Sequence, residues 1–214
     1  MGDVAAMALT YGCGMAMNTS SFADLDAESA PGAESTAGAA ARPLPATLAR
    51  EAGLVAAGTL ALTLIGQISL PLPFTPVPVT LGTLAALGVG GLLGARRALG
   101  SVALYAAAGA AGAPVLAGWS SGATASFGYV LGYALAAVIA GYALTRTADG
   151  ARRPLPARIG LMLLASAAVY VPGLVWLKIA TGVAWGSAVA LGLAPFIVGD
   201  ALKSLVAALL PSRR

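Results

Sequence analysis

Six apolar stretches, near residues 49–68, 78–95, 98–117, 127–145, 158–177 and 190–210, follow one another along the chain, with most of the charge in the gaps between them. A bilayer's hydrocarbon core is about 30 Å thick, and a helix needs roughly 20 apolar residues to cross it. In water these stretches would have to be covered, and there is little to cover them with. Only 9% of the 214 residues are charged and 58% are hydrophobic, against roughly 25% charged in an ordinary soluble domain. The expected fold is therefore all-α: a polytopic membrane protein of six transmembrane helices. The second stretch is short and rich in glycine (Gly82, Gly88, Gly90, Gly91, Gly94), which calls for close helix neighbours on that face. Between the fifth and sixth, "IATGVAWGSAVALGLAP" reads as a loop, a short re-entrant helix or the start of the last span. Pro195 favours a regular helix beginning there.

The arginines orient these spans. Arg42 and Arg50 precede the first, and Arg96 and Arg97 join the second to the third. Arg146, Arg152, Arg153 and Arg158 join the fourth to the fifth, and Arg213 and Arg214 follow the sixth. The remaining connections carry no arginine, and only Lys178 lies near one. Positively charged connections stay in the cytoplasm, so both termini are expected there. The connection at 67–82, the loop at 118–126 and the segment at 178–194 are expected outside. Residues 1–45 hold Asp3, Asp24, Asp26, Glu28 and Glu34 amid Ala, Gly, Ser and Thr without periodicity, and are expected to be a disordered cytoplasmic tail. Residues 46–214 are expected to form one six-helix membrane domain that binds substrate. Cys13 is the single cysteine, which excludes an internal disulfide.

The first outer connection, "QISLPLPFTPVPVTLG", holds Pro71, Pro73, Pro76 and Pro78 and no charge. Each X-Pro pair favours extended backbone, and each proline removes a donor that would otherwise need a partner near lipid. A stiff apolar flap suits a lid over a buried ligand, although a compact turn between helices would read the same way. In the last span, "APFIVGDALKSLVAALL" places Asp200 and Lys203 three apart, on one helix face. A charge near a span's centre costs about 2.5–3.5 kcal/mol on insertion scales, and it persists only when paired, satisfied or near water. The pair is either an internal ion pair that fixes packing or the polar floor of a ligand site. Phe74, Trp119, Phe127, Tyr129, Trp176 and Trp185 gather on the same outer side, as an interfacial aromatic belt or as apolar pocket walls. Ser120 and Ser121 add hydroxyls there.

In the first span the small residues Ala49, Gly53, Ala57 and Ala61 recur every four positions, a row that lets helices approach closely. It serves internal packing or the docking of a partner. The chain has no histidine, so histidine metal sites and Ser–His catalysis are excluded. It also lacks the phosphate loop that would let it hydrolyse ATP itself. No enzyme activity, metal, cofactor or nucleic-acid partner is expected.

The segments "PLPFTPVPVTLGTLA", "GLLGARRALGSVALYAAAGAAGAPVLAG", "FGYVLGYALAAVIAG" and "GLAPFIVGDALKSLVAALL" resemble, in order across about residues 50–210, the BioY family. These are the biotin-binding S components of energy-coupling factor (ECF) transporters. The resemblance implies six helices, an outward-facing biotin site, and a multi-pass place in the bacterial plasma membrane. It also implies a partner, a transmembrane T component carrying ATPase subunits, met through the small-residue face of the first span. The family's Asp and Lys of the last helix fall on Asp200 and Lys203, its flap on Pro71–Pro78, and its glycine-rich outer loop near Gly118–Gly128. Members often have Gln where this chain has Gly82, and an arginine in the outer loop, which here reads "WSSGATASFGY". Biotin's ureido ring offers two N–H donors and a carbonyl, to which Asp200 and Lys203 are complementary. Its apolar ring and chain suit walls of Phe74, Trp119, Tyr129 and Trp176. Its carboxylate is left to Ser120, Ser121 or loop amides. Two alternatives keep the architecture: an S component for another vitamin, and a structural assembly protein without ligand. A membrane enzyme would need a second acid near Asp200, and Glu51 and Asp149 are placed at the opposite face.

Overall fold

The computed structural model describes residues 46–212, so the reading of 1–45 as a tail lies outside the described residues. Helix α1 (Ala46–Gly66) leads into a two-stranded ribbon, β1 (Ser69–Leu70) and β2 (Val79–Thr80). Helices α2 (Gly82–Leu93), α3 (Ala95–Ala110), α4 (Phe127–Leu144) and α5 (Leu155–Thr181) follow. The chain ends in α6 (Trp185–Gly192), a 3₁₀ turn at Ala194–Phe196 and α7 (Ile197–Ala208). Four stretches are long and apolar enough to cross a membrane: α1, α4, α5 and Trp185–Ala208 taken through its break. Helix α2 is apolar but shorter. The chain is thus a mostly helical polytopic membrane protein.

Helix α4 is the central post. It packs against α2, α3 and α5, and two-thirds (67%) of its span is buried against 17% for α1, which lies at the edge on α2 and α3. Helix α7 packs on α5 and α2.

The fold is mostly helical as expected, while several boundaries differ. One short ribbon interrupts the helices, because Pro76 and Pro78 keep the backbone extended up to Thr80. Val79 and Thr80 therefore pair antiparallel with Leu70 and Ser69, and the second helix starts at Gly82 rather than near 78. The connection bearing Arg96 and Arg97 is no loop. Gly94 turns the chain alone at φ +83°, in the region glycine favours, and both arginines lie in the first turn of α3. That helix ends at Ala110, seven residues before its expected end at 117. The last apolar stretch does not run unbroken from 190. A short helix ends at Gly192, Pro195 sits in the 3₁₀ turn, and the helix that carries Asp200 begins at Ile197, close to where Pro195 had pointed.

Candidate ligand-binding site

Small residues bring α4 and α5 to near backbone contact. A Cβ on Gly132 would strike the Val169 backbone, one on Gly128 would strike Trp176 and the Pro172 carbonyl, and one on Gly173 would reach the Tyr129 ring at 2.6 Å. This approach turns Tyr129 and Tyr170 edge to face, 6.2 Å apart. With Tyr133 one turn further along α4 and Tyr105 from α3, they line a cavity that ends on Asp200 and Lys203.

Asp200 and Lys203 are 6% and 8% exposed. Lys203 Nζ donates to Asp200 Oδ1 at 2.8 Å and Tyr170 Oη donates to Oδ2 at 2.5 Å. Both carboxylate oxygens are held, yet each keeps a further lone pair for an N–H donor. Lys203 Nζ also donates to the Thr80 carbonyl at 2.7 Å, which ties the floor of the cavity to β2. An ammonium and a carboxylate this far from water persist because they pair with each other and each has a further hydrogen-bond partner, Thr80 or Tyr170. Val77, Pro78, Val130, Val169 and Phe196 supply apolar wall, and Thr80, Thr83 and Ser126 add hydroxyls. The arrangement suits a largely apolar ligand with a compact hydrogen-bonding head that both donates and accepts.

The proline hairpin borders the cavity through Val77, Pro78 and Thr80 and is fastened at three places. Near its base, Gln67 Nε2 donates to the Leu116 carbonyl at 3.0 Å while its Oε1 accepts from Trp119 N at 2.9 Å. On the returning strand, opposite Ser69, stands the Lys203–Thr80 bond. Nearer its tip, Thr75 Oγ1 donates to the Leu191 carbonyl at 2.8 Å. The enclosed room is about 60 Å³, less than the roughly 150 Å³ that takes up one benzene ring.

The cavity thus brings together Asp200, Lys203, Tyr129 and Pro78 from the residues singled out in the sequence. Trp176 stands behind it, tilted against Phe127 at 5.8 Å and donating Nε1 to the Thr124 carbonyl at 2.9 Å. Phe74 and Trp119 point away and are 58% and 59% exposed. Ser120 Oγ donates to the Ala117 carbonyl, and Ser121 is exposed. Pro71, Pro73 and Pro76 lie on the outer side of the hairpin. Ala49, Gly53 and Ala57 are exposed, and a Cβ on Gly53 would meet nothing within 4 Å, whereas Ala61, the last of the row, packs against the core. An apolar groove of about 360 Å³ runs beside the row, past Gly58, Ala61, Leu84, Gly88 and Val206.

Sequence reasoning missed Tyr105, Tyr133, Tyr170, Thr80 and Thr83. A signal existed for the tyrosines. A phenol inside an apolar span needs a hydrogen-bond partner when buried, and Tyr133 lies four after Tyr129 on the same helix face.

The BioY family model matches residues 33–213. The chain belongs to the BioY family. Among its BioY relatives, the "Probable biotin transporter BioY" of Pyrococcus horikoshii is 36% identical over 166 residues, covering 77% of this chain and 96% of the relative. "Biotin transporter BioY2" of Lactococcus lactis subsp. cremoris is 31% identical over 154 residues, covering 72% and 83%. The BioY chain also shares its fold with a solved structure described as the S-component for biotin from an ECF-type ABC transporter. That match has TM-score 0.67 and 23% identity, and covers 78% of this chain and 92% of the other.

Proposed function

We propose that this chain is the membrane subunit that captures biotin for uptake, working as the S component of an ECF-type transporter. The observation that carries the proposal is the Asp200–Lys203–Tyr170 cluster at the end of an apolar cavity under a fastened hairpin, in a chain whose relatives are named biotin transporters. The ureido ring would give its N–H groups to Asp200 and take a hydrogen bond at its carbonyl from Lys203. Such charge-assisted bonds contribute roughly 1.5–3 kcal/mol each. Tyr129, Tyr133, Val130 and Phe196 would surround the apolar remainder.

On this reading the hairpin end faces outward. The arginine-bearing end faces the cytoplasm with both termini, and six helices cross the plasma membrane, α2 and α6–α7 completing theirs with the ribbon and the 3₁₀ turn. The exposed row Ala49, Gly53, Ala57 and the groove beside it would receive the T component, which brings the ATPase subunits. Close approach by small residues suits a helix partner within lipid. No chemistry is done on the ligand.

Purified protein titrated with biotin, with lipoate and thiamine as controls, tests the proposal. Biotin alone is expected to raise thermal stability, by about 2.7 kcal/mol when its concentration reaches a hundred times the dissociation constant. A shift with thiamine or lipoate and none with biotin would reassign the vitamin. No shift with any of them would leave the buried pair a packing device.

A further inference from the structure

We propose that the arginine-bearing end holds a second site, a cleft that binds the phosphate headgroup of an anionic phospholipid. The cleft has a volume of about 740 Å³ and lies between α1, the α2–α3 elbow and the end of α4. It opens where α4 stops at Leu144 and where the first residues of α1 and α3 stand, the level at which headgroups meet the ends of spans. Its walls are mixed: Val55, Leu93 and the Tyr142 ring are apolar, while Thr145 and the guanidinium of Arg96 are polar. A surface apolar on one side and cationic on the other fits an amphiphile.

Charge decides the sign of the occupant. Glu51, the acid in the cleft, is consumed, because Arg97 Nε and Nη2 reach its two oxygens at 2.6 Å each. Arg96 is exposed and makes no ion pair or hydrogen bond among the described residues. The cleft therefore carries one uncompensated cation. The start of α3 meets the last turns of α2 and α4 in this cleft, so the helix ends offset one another and the arginine alone sets the sign. Basic recesses between spans are suited to anionic headgroups, and each arginine near a negative leaflet contributes about a fivefold preference. The proposal is independent of the biotin reading, since the cleft lies at the other end of the bundle from Asp200.

Native mass spectrometry of the full chain extracted with phosphatidylglycerol or phosphatidylcholine tests it. The expected result is selective retention of phosphatidylglycerol, weakened about tenfold or more in Arg96→Gln. Arg152→Gln, on the exposed loop outside the cleft, should retain it like the parent, and Arg96→Lys should recover most of it. Millimolar inorganic phosphate should not displace the lipid. Circular dichroism of Arg96→Gln should match the parent. Retention unchanged by Arg96→Gln, equal loss in Arg152→Gln, or equal retention of phosphatidylcholine would overturn the site. Displacement by inorganic phosphate alone would overturn its assignment to lipid.

Discussion

Lys203 serves two masters: its ammonium satisfies the Asp200 carboxylate and also holds the Thr80 carbonyl of the hairpin. Removing it strands a buried anion. Lys203→Met is therefore expected to destabilise the protein by about 3–5 kcal/mol, the usual cost of breaking a buried pair. The double variant Asp200→Asn/Lys203→Met leaves no charge behind and should regain most of that loss. Unfolding in detergent measures both, and a double variant no more stable than Lys203→Met would mean the two groups are not coupled. At this scale the sequence was partly legible. The spacing of Asp200 and Lys203 placed them on one face. It could not show Thr80 as their third partner, because that contact spans 123 residues and depends on the ribbon register Ser69↔Thr80. The outer-side aromatics were legible as a group, yet nothing local separates Tyr129, which faces inward, from Trp119, which stands outward at φ +56° beside Gly118.

Among the elements, the hairpin makes the sharpest prediction. On the proposed lid reading its prolines keep the free loop close to its closed shape, in which Thr75 is bonded to the Leu191 carbonyl and Lys203 to the Thr80 carbonyl. Replacing Pro73 and Pro76 with Gly frees residues whose ordering costs about 1–2 kcal/mol each. Biotin dissociation should speed up while association changes little, as read by stopped flow or surface plasmon resonance on the double variant. An unchanged off-rate together with lower stability of the ligand-free protein would make the hairpin a plain connector. The four long spans were readable from apolar length alone, since that is what lipid demands. Helix ends were less so. The break before Ile197 was marked by Pro195, whereas the elbow at Gly94 is set by how α2 and α3 fit against α4, and a run of apolar residues carries no mark of that fit.

Over the whole molecule, the alternation of arginine-rich and arginine-free ends gives a topology that chemical labelling can read. In a Cys13→Ser background, a cysteine at Ser121 is expected to react with an impermeant thiol reagent on intact cells, and one at Ala148 only after lysis. Both positions are exposed. Labelling at 148 but not at 121 would invert the protein and put the cavity on the wrong side for capture.

The central claim is that the buried carboxylate of Asp200 recognises biotin, and calorimetric titration of the parent and of Asp200→Asn, side by side, tests it most directly. The parent is expected to bind biotin at one site. The variant, whose amide offers one acceptor where the carboxylate offered two, should bind about 10- to 150-fold more weakly, the equivalent of one charge-assisted hydrogen bond. Equal affinity in a folded Asp200→Asn protein would contradict the account and leave Asp200 a purely structural partner of Lys203 and Tyr170.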